Sequence, residues 1–114
     1  MEVGVLLEEF KNYLEQQRKS KNTIDSYVLH ISGYYKWYVE SFGSECSSLY
    51  RENILDYISY LRNIKKDSGK TINCKISALV KFNEFLIVSG VQQDQVISKK
   101  DNIKVQKSYA NPSN

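Results

Sequence analysis

The chain has 114 residues, of which 41% are hydrophobic and 25% are charged, and its net charge is +3. This length predicts one domain, and the composition excludes a disordered chain because enough apolar residues are present to form a core. No run approaches the roughly 18 apolar residues of a membrane span. The N-terminus also lacks the basic and apolar regions of a signal peptide, so we expect neither a membrane partner nor secretion.

The first predicted helix covers residues 3–18, where Leu6 and Phe10 belong to an apolar stripe at helical spacing. The second and longest covers residues 23–42, with its apolar and aromatic residues on one arc. Asn22 is the expected N-cap of this helix, because its side chain can accept a hydrogen bond from a free backbone N–H of the first turn.

The third and fourth predicted helices cover residues 51–65 and 71–88. Gly43 and Gly90 provide stop signals after the second and fourth helices, and residues 91–97 are compatible with a last helical turn. Helices with apolar stripes must bury them against one another, which predicts an all-α fold, a bundle of four main helices.

Basic residues are concentrated in two stretches, at residues 62–81 and 99–107. From residue 98 onward the chain is polar and basic, as is typical of linkers. We therefore predict a domain at residues 1–97, followed by a linker or disordered tail at residues 98–114.

The fourth predicted helix has a polar face that is suited to an anion. This face holds Lys70, Asn73, Cys74, Ser77, Lys81 and Glu84. It begins at a helix N-terminus, where free N–H groups favour a phosphate, and an α-helix can enter the major groove of DNA. The alternative is an ordinary solvated face, since lysine and serine are common on exposed helices.

The start of the second helix has a similar polar set beside its apolar arc. This set consists of Lys21, Asn22, Ser26 and His30. These side chains can contact phosphates or bases, but simple capping explains Asn22 equally well and His30 can be an ordinary surface histidine. Trp37 lies on the flank of His30, where it either covers the edge of the core or faces a partner.

No catalytic or metal-binding set is recognisable in the sequence. His30 has no carboxylate or cysteine three or four residues away, and Cys46 and Cys74 lack the spacing of a zinc site. Gly-rich phosphate loops, H-E-x-x-H motifs and serine elbows are absent from the sequence. We expect no metal, no cofactor and no enzymatic activity of this domain, and the unpaired cysteines favour a cytoplasmic location.

Two ordered motifs in the chain carry a family resemblance. The first half contains Phe10-x-x-Tyr13-Leu14, then Arg18, then Ser20-x-x-Thr23-x-x-x-Tyr27-x-x-x-Ile31-x-x-Tyr34. The second half contains Asp56-Tyr57, Leu61, Ser68-x-x-Thr71-Ile72-Asn73 and Ile76-Ser77-Ala78-Leu79-x-x-Phe82-x-x-Phe85-Leu86, then Gly90. Over residues 6–97, this order resembles the N-terminal core-binding domain of tyrosine recombinases, the phage integrase family.

The resemblance implies a SAM-like bundle of four main helices, orthogonally packed, that clamps double-stranded DNA with its second and fourth helices. Matching positions imply contacts to DNA from Lys21, Thr23, Ser26, Lys70, Thr71, Asn73, Ser77 and Lys81. Asn22 and His30, from the polar faces described above, complete the predicted site. The family often has arginine where Cys74 stands, so this chain has one cation fewer on that face.

The resemblance also implies that catalysis belongs to a separate C-terminal domain. That domain and other recombinase protomers on DNA are therefore expected partners, in site-specific DNA integration and recombination. Tyr109 lies in the polar tail without the family's catalytic arginines, lysine and histidines nearby, so we do not expect it to be the nucleophile. In isolation, we expect a monomer.

Two other functions stay open at this point. The high aromatic content and Trp37 are compatible with a non-enzymatic helical protein-interaction module. A small regulatory DNA-binding protein, complete in itself, is the other alternative. Replacing Lys70 and Lys81 by glutamate, and Trp37 by alanine, would separate binding of DNA from binding of a protein.

Overall fold

The computed structural model describes residues 2–105, and all of the regular structure in that range is helical. The four main helices are α1 (Val3–Gln16), α2 (Lys21–Phe42), α3 (Arg51–Asn63) and α4 (Gly69–Val88), and a short 3-10 helix follows at Lys99–Asp101. The prediction of an all-α fold with four main helices is confirmed.

Helices α2 and α4 each begin two residues earlier than predicted, because a serine caps each of them. The Ser20 Oγ accepts from the Thr23 N–H at 3.2 Å, and the Ser68 Oγ accepts from the Thr71 N–H at 3.2 Å. Each serine hydroxyl also donates to the hydroxyl of the same threonine, at 2.9 Å and 3.0 Å respectively. The prediction that Asn22 is the N-cap of α2 is wrong, because Ser20 holds that position and Asn22 lies in the first turn.

The ends of the helices follow the stop signals with small shifts. Gly43 follows α2 in the left-handed conformation, with φ of 79°, and its N–H donates to the Val39 carbonyl at 2.8 Å. Helices α1 and α3 each end two residues before the predicted residue. Residues 91–97, for which a helical turn was considered, contain no helix.

The core lies where α1, α2 and α4 pack on one another and α3 packs on α4. Phe10 of α1 and Phe82 of α4 are fully buried, and their rings meet edge to face with centroids 5.0 Å apart. Burying a side chain of this size stabilises the fold by about 1.5–3 kcal/mol. Trp37 is partly buried at the edge of the core, with its ring centroid 5.1 Å from that of Tyr57 and 6.1 Å from that of Tyr60.

After α4 the chain reverses at Gly90, whose φ is 77°, and residues 91–105 run back along α4. We call residues 91–105 the strap. Asn83, near the end of α4 and fully buried, accepts from the Val96 N–H at 2.8 Å and donates to the Asp94 carbonyl at 3.0 Å. Asn73, near the start of α4, accepts from the Ile103 N–H at 2.6 Å and donates to the Ile103 carbonyl at 2.9 Å. The strap is therefore antiparallel to α4.

Arg51, at the start of α3, holds the middle of the strap. Its guanidinium bonds both carboxylate oxygens of Asp101, at 2.7 Å and 2.8 Å, and donates to the Val96 carbonyl at 2.9 Å. Asp101 also accepts from the Ser98 N–H at 3.0 Å. The hydrogen bond from Arg51 is the main cause that lowers the pKa of Asp101 below its ordinary value.

The strap includes the first residues of the stretch that the sequence analysis assigned to a linker. Residues 98–103 contact the domain through the bonds of Asp101 and Ile103. The remainder of the predicted tail, including Tyr109, lies outside the described residues. The boundary after residue 97 stays a prediction.

Candidate nucleic-acid interface

The start of α2 is open to solvent. Lys21, Asn22 and Ser26 are exposed, and Thr23 is partly buried, with its hydroxyl bonded to Ser20. Free N–H groups at a helix N-terminus and an adjacent lysine attract an anion such as a DNA phosphate. The arrangement is therefore compatible with the predicted contacts to DNA.

The start of α4 also presents exposed polar residues, but the end of the strap lies beside it. Lys70 and Thr71 are exposed. A Cβ added to Gly69, the first residue of α4, would come within 3.1 Å of the Val105 Cγ2. The glycine thus allows the strap to approach the helix start closely.

Asn73 is placed differently from the other predicted contacts. Both ends of its side-chain amide are bonded to Ile103, so the residue anchors the strap in this structure. An asparagine that binds a base edge needs the same two groups, one as donor and one as acceptor. Its contact with DNA stays a prediction, and a base that bonds both groups would compete with Ile103 for them.

Further along α4, the polar face contains Ser77, Lys81 and the exposed Cys74. Lys81 forms an ion pair with Glu84 at 3.5 Å, one turn ahead on the same face. Ion pairs of this kind at a surface contribute about 0–1 kcal/mol, so the lysine can exchange its partner for a phosphate.

His30 lies in a cleft of about 490 Å³ that contains residues from α2, α3 and α4. Four basic side chains line this cleft, namely His30, Lys36, Lys65 and Lys75. Burial, followed by the charges of Lys75 and Lys65, lowers the pKa of His30, so the imidazole is neutral at neutral pH. The structure thus brings His30 close to Lys65 and Lys75, which lie outside the predicted site.

Those two lysines are close to each other. Lys75 is the main cause that lowers the pKa of Lys65, because two ammonium groups near each other repel. Lys75 also bonds Asp67 at 2.7 Å, with both side chains mostly buried. The sequence analysis left both lysines out of the site, because Lys75 borders the apolar arc of α4 and Lys65 stands at the end of the third predicted helix. The only signal was the basic stretch to which they belong.

Within residues 2–105, the structure shows neither a metal-binding group nor a membrane-spanning helix. No group of three or more histidine, cysteine or acidic side chains there is placed to hold a metal ion. None of the helices in this range combines the length and apolar character needed to cross a membrane.

The family follows from comparison with known proteins. The phage integrase N-terminal SAM-like domain matches residues 6–87. This chain belongs to the phage integrase family, as its N-terminal SAM-like domain, and the resemblance noted in the sequence is confirmed.

A second comparison matches the chain to a curated protein. The chain is 53% identical over 105 residues to a protein named TnP I resolvase from Bacillus thuringiensis. The alignment covers 92% of this chain and 37% of that protein, so the chain spans little more than a third of the relative's length. No solved structure matches the chain.

Proposed function

We propose that this domain binds double-stranded DNA as the N-terminal clamp of a site-specific tyrosine recombinase. One observation carries the proposal: α2 and α4 each begin at a serine cap with an exposed lysine in the first turn, Lys21 and Lys70. Two cationic helix starts on one small domain suit the regularly spaced phosphates of a duplex.

The proposed roles follow from the chemistry of each side chain. Lys21, Lys70 and Lys81 contact phosphates and release counterions, which supplies affinity without sequence preference. Asn22 and Ser77 have the donors and acceptors that read base edges in the major groove. Thr23 and Thr71 are bonded to their capping serines and therefore orient the helix starts.

The whole recombinase would contain more than this chain. We place the catalytic residues in a C-terminal domain that continues from the strap, and we expect other protomers to assemble with it on DNA in the cytoplasm. This domain then contributes binding and no catalytic group. The name of the Bacillus thuringiensis relative favours resolution as the reaction of the parent protein.

A titration with duplex DNA tests the proposal. We expect binding at low salt to a duplex of about 30 base pairs, with a log–log salt slope near −3.6 for about four phosphate contacts. Lys70→Glu should weaken binding at least about tenfold. Arg62→Glu, the same charge change at an exposed position of α3, is the control and should have a smaller effect. Absence of binding at low salt, or binding that is independent of salt, would contradict the proposal.

A further inference from the structure

The cleft around His30 combines two kinds of wall. One wall is cationic, with Lys36 from α2, Lys65 from the loop after α3 and Lys75 from α4. The other is aromatic, with Trp37 from α2 and Tyr60 from α3, both of them partly buried. Its volume of about 490 Å³ lies within the range of roughly 300–1,000 Å³ that is usual for small-molecule sites.

The cations in this cleft exceed the anions that neutralise them. Asp67 bonds Lys75, and Glu40 is the carboxylate that lines the cleft itself. Among residues 2–105, neither Lys36 nor Lys65 forms an ion pair. Like charges held this close repel one another, as the lowered pKa of Lys65 reflects. A bound anion would relieve that repulsion.

The aromatic wall narrows the choice of anion. Nucleic acids combine a phosphate with a flat base, and proteins bind single strands by pairing a cationic groove with aromatic side chains on which bases stack. A base inside a duplex is stacked on its neighbours and cannot reach a cleft of this kind, whereas an unpaired base can. The two walls therefore suit a nucleotide from a single strand.

We propose that this cleft binds an unpaired nucleotide of single-stranded DNA, with its phosphate at Lys36 and Lys65 and its base against Trp37 and Tyr60. The site is distinct from the starts of α2 and α4 that we assign to duplex DNA. It makes the domain able to hold a strand that has left the duplex.

The single tryptophan of the chain makes the cleft directly observable, because Trp37 lines it. We expect an oligothymidylate of about eight nucleotides, added to the 114-residue chain at low salt, to quench Trp37 fluorescence in a saturable manner. Lys65→Gln should weaken this binding about threefold to tenfold. Lys11→Gln, on α1 and outside the cleft, should leave it unchanged.

A second pair of variants tests the aromatic wall. Tyr60→Ala removes the ring and should weaken oligothymidylate binding at least about fivefold, whereas Tyr60→Phe keeps the ring and should bind like the parent. Circular dichroism and thermal unfolding establish that each variant is folded. If Tyr60→Ala is unfolded, the competition with pyrophosphate tests the contribution of the base instead.

Pyrophosphate is the probe for an anion without a base. If it quenches Trp37 as strongly as oligothymidylate and competes with it at equal concentration, the base has no role and the proposal is overturned. Unchanged Trp37 fluorescence with oligothymidylate also overturns it. Duplex binding measured with a labelled duplex is a separate result, so the two proposals can fail independently.

Discussion

The starts of α2 and α4 share one local design and differ in what lies beside them. Ser20 and Ser68 each cap a helix by bonding the N–H and hydroxyl of a threonine three residues later, with nearly equal distances. Five residues after each serine stands a polar residue, Asp25 in α2 and Asn73 in α4. Asp25 is exposed, whereas Asn73 bonds the strap.

This difference shows that one side-chain amide can determine whether a second segment packs beside a helix start. Asn73 both donates to and accepts from Ile103, which an ionised carboxylate cannot do because it only accepts. An aspartate at this position would lose one bond and face the Ile103 carbonyl with a negative charge. The same cap thus gives an open helix start in α2 and one beside the strap in α4.

The largest expected effect on stability comes from giving α4 the aspartate that α2 has at the equivalent position. Asn73→Asp should lower the free energy of unfolding by about 2 kcal/mol, because a hydrogen bond is lost and a carbonyl is left unpaired. Asp25→Asn is the matched control and should change it by less than about 0.5 kcal/mol. Urea unfolding measures both variants. Equal losses of stability in the two variants would mean that the bonds of Asn73 to the strap do not stabilise the fold.

A smaller effect is expected from the ion pair of Arg51 with Asp101 in the middle of the strap, which has no counterpart at the start of α2 among residues 2–105. Asp101→Asn should lower the free energy of unfolding by about 1 kcal/mol, a value kept small because Arg51 is half exposed.

The contribution of the Arg51–Asp101 ion pair to the free energy of unfolding changes with pH in one direction. Since the folded pKa of Asp101 lies below its ordinary value of 3.8, its contribution is present above that pH and disappears as the pH falls through the folded pKa. The variant should lose less stability than the parent between neutral pH and acid pH. Thermal unfolding over this pH range measures the difference, and parallel curves would show that Asp101 contributes nothing.

The serine caps of α2 and α4 should contribute equally to the free energy of unfolding. Ser20→Ala and Ser68→Ala should each lower the free energy of unfolding by about 1 kcal/mol, because each removes the acceptor of one N–H in the first turn. The two values should agree within about 0.5 kcal/mol. A clearly larger loss for Ser68→Ala would indicate that the strap depends on the cap of α4.

The smallest effect is expected at Gly69. Gly69→Ala favours the helix but crowds Val105, whose side chain is about half exposed and can move aside. We therefore expect a change in the free energy of unfolding within about 0.5 kcal/mol, together with a shift of the Val105 methyl signals in NMR spectra. Lys21→Ala, at the same position of α2, should leave those signals in place.

The helices could be predicted from the sequence because their apolar stripes repeat within a few residues. The choice of cap could not, since asparagine and serine are both good N-caps and only the backbone geometry decides that Ser20 reaches the Thr23 N–H. The strap was missed for another reason. Its bonds join residues far apart in the chain, 30 residues for Asn73 and Ile103 and 50 for Arg51 and Asp101.

The candidate site, like the fold, could be predicted only in part from the sequence. Lys21, Lys70 and Lys81 lie on helix faces that a helical wheel identifies, and the structure keeps them on the surface or near it. The cleft around His30 combines residues from three helices and a loop, so no local pattern could reveal it. The double role of Asn73 was equally hidden, because its partner Ile103 lies beyond the predicted domain.

The return path of the strap has a practical consequence for dissecting the protein. A fragment cut after Ile97, at the predicted boundary, would lack both Asp101 and Ile103. Arg51 would then have no carboxylate, and Asn73 would expose an amide with no backbone to bind. Such a truncation would resemble two point mutations made at once, so a minimal fragment of this domain should extend at least to residue 105.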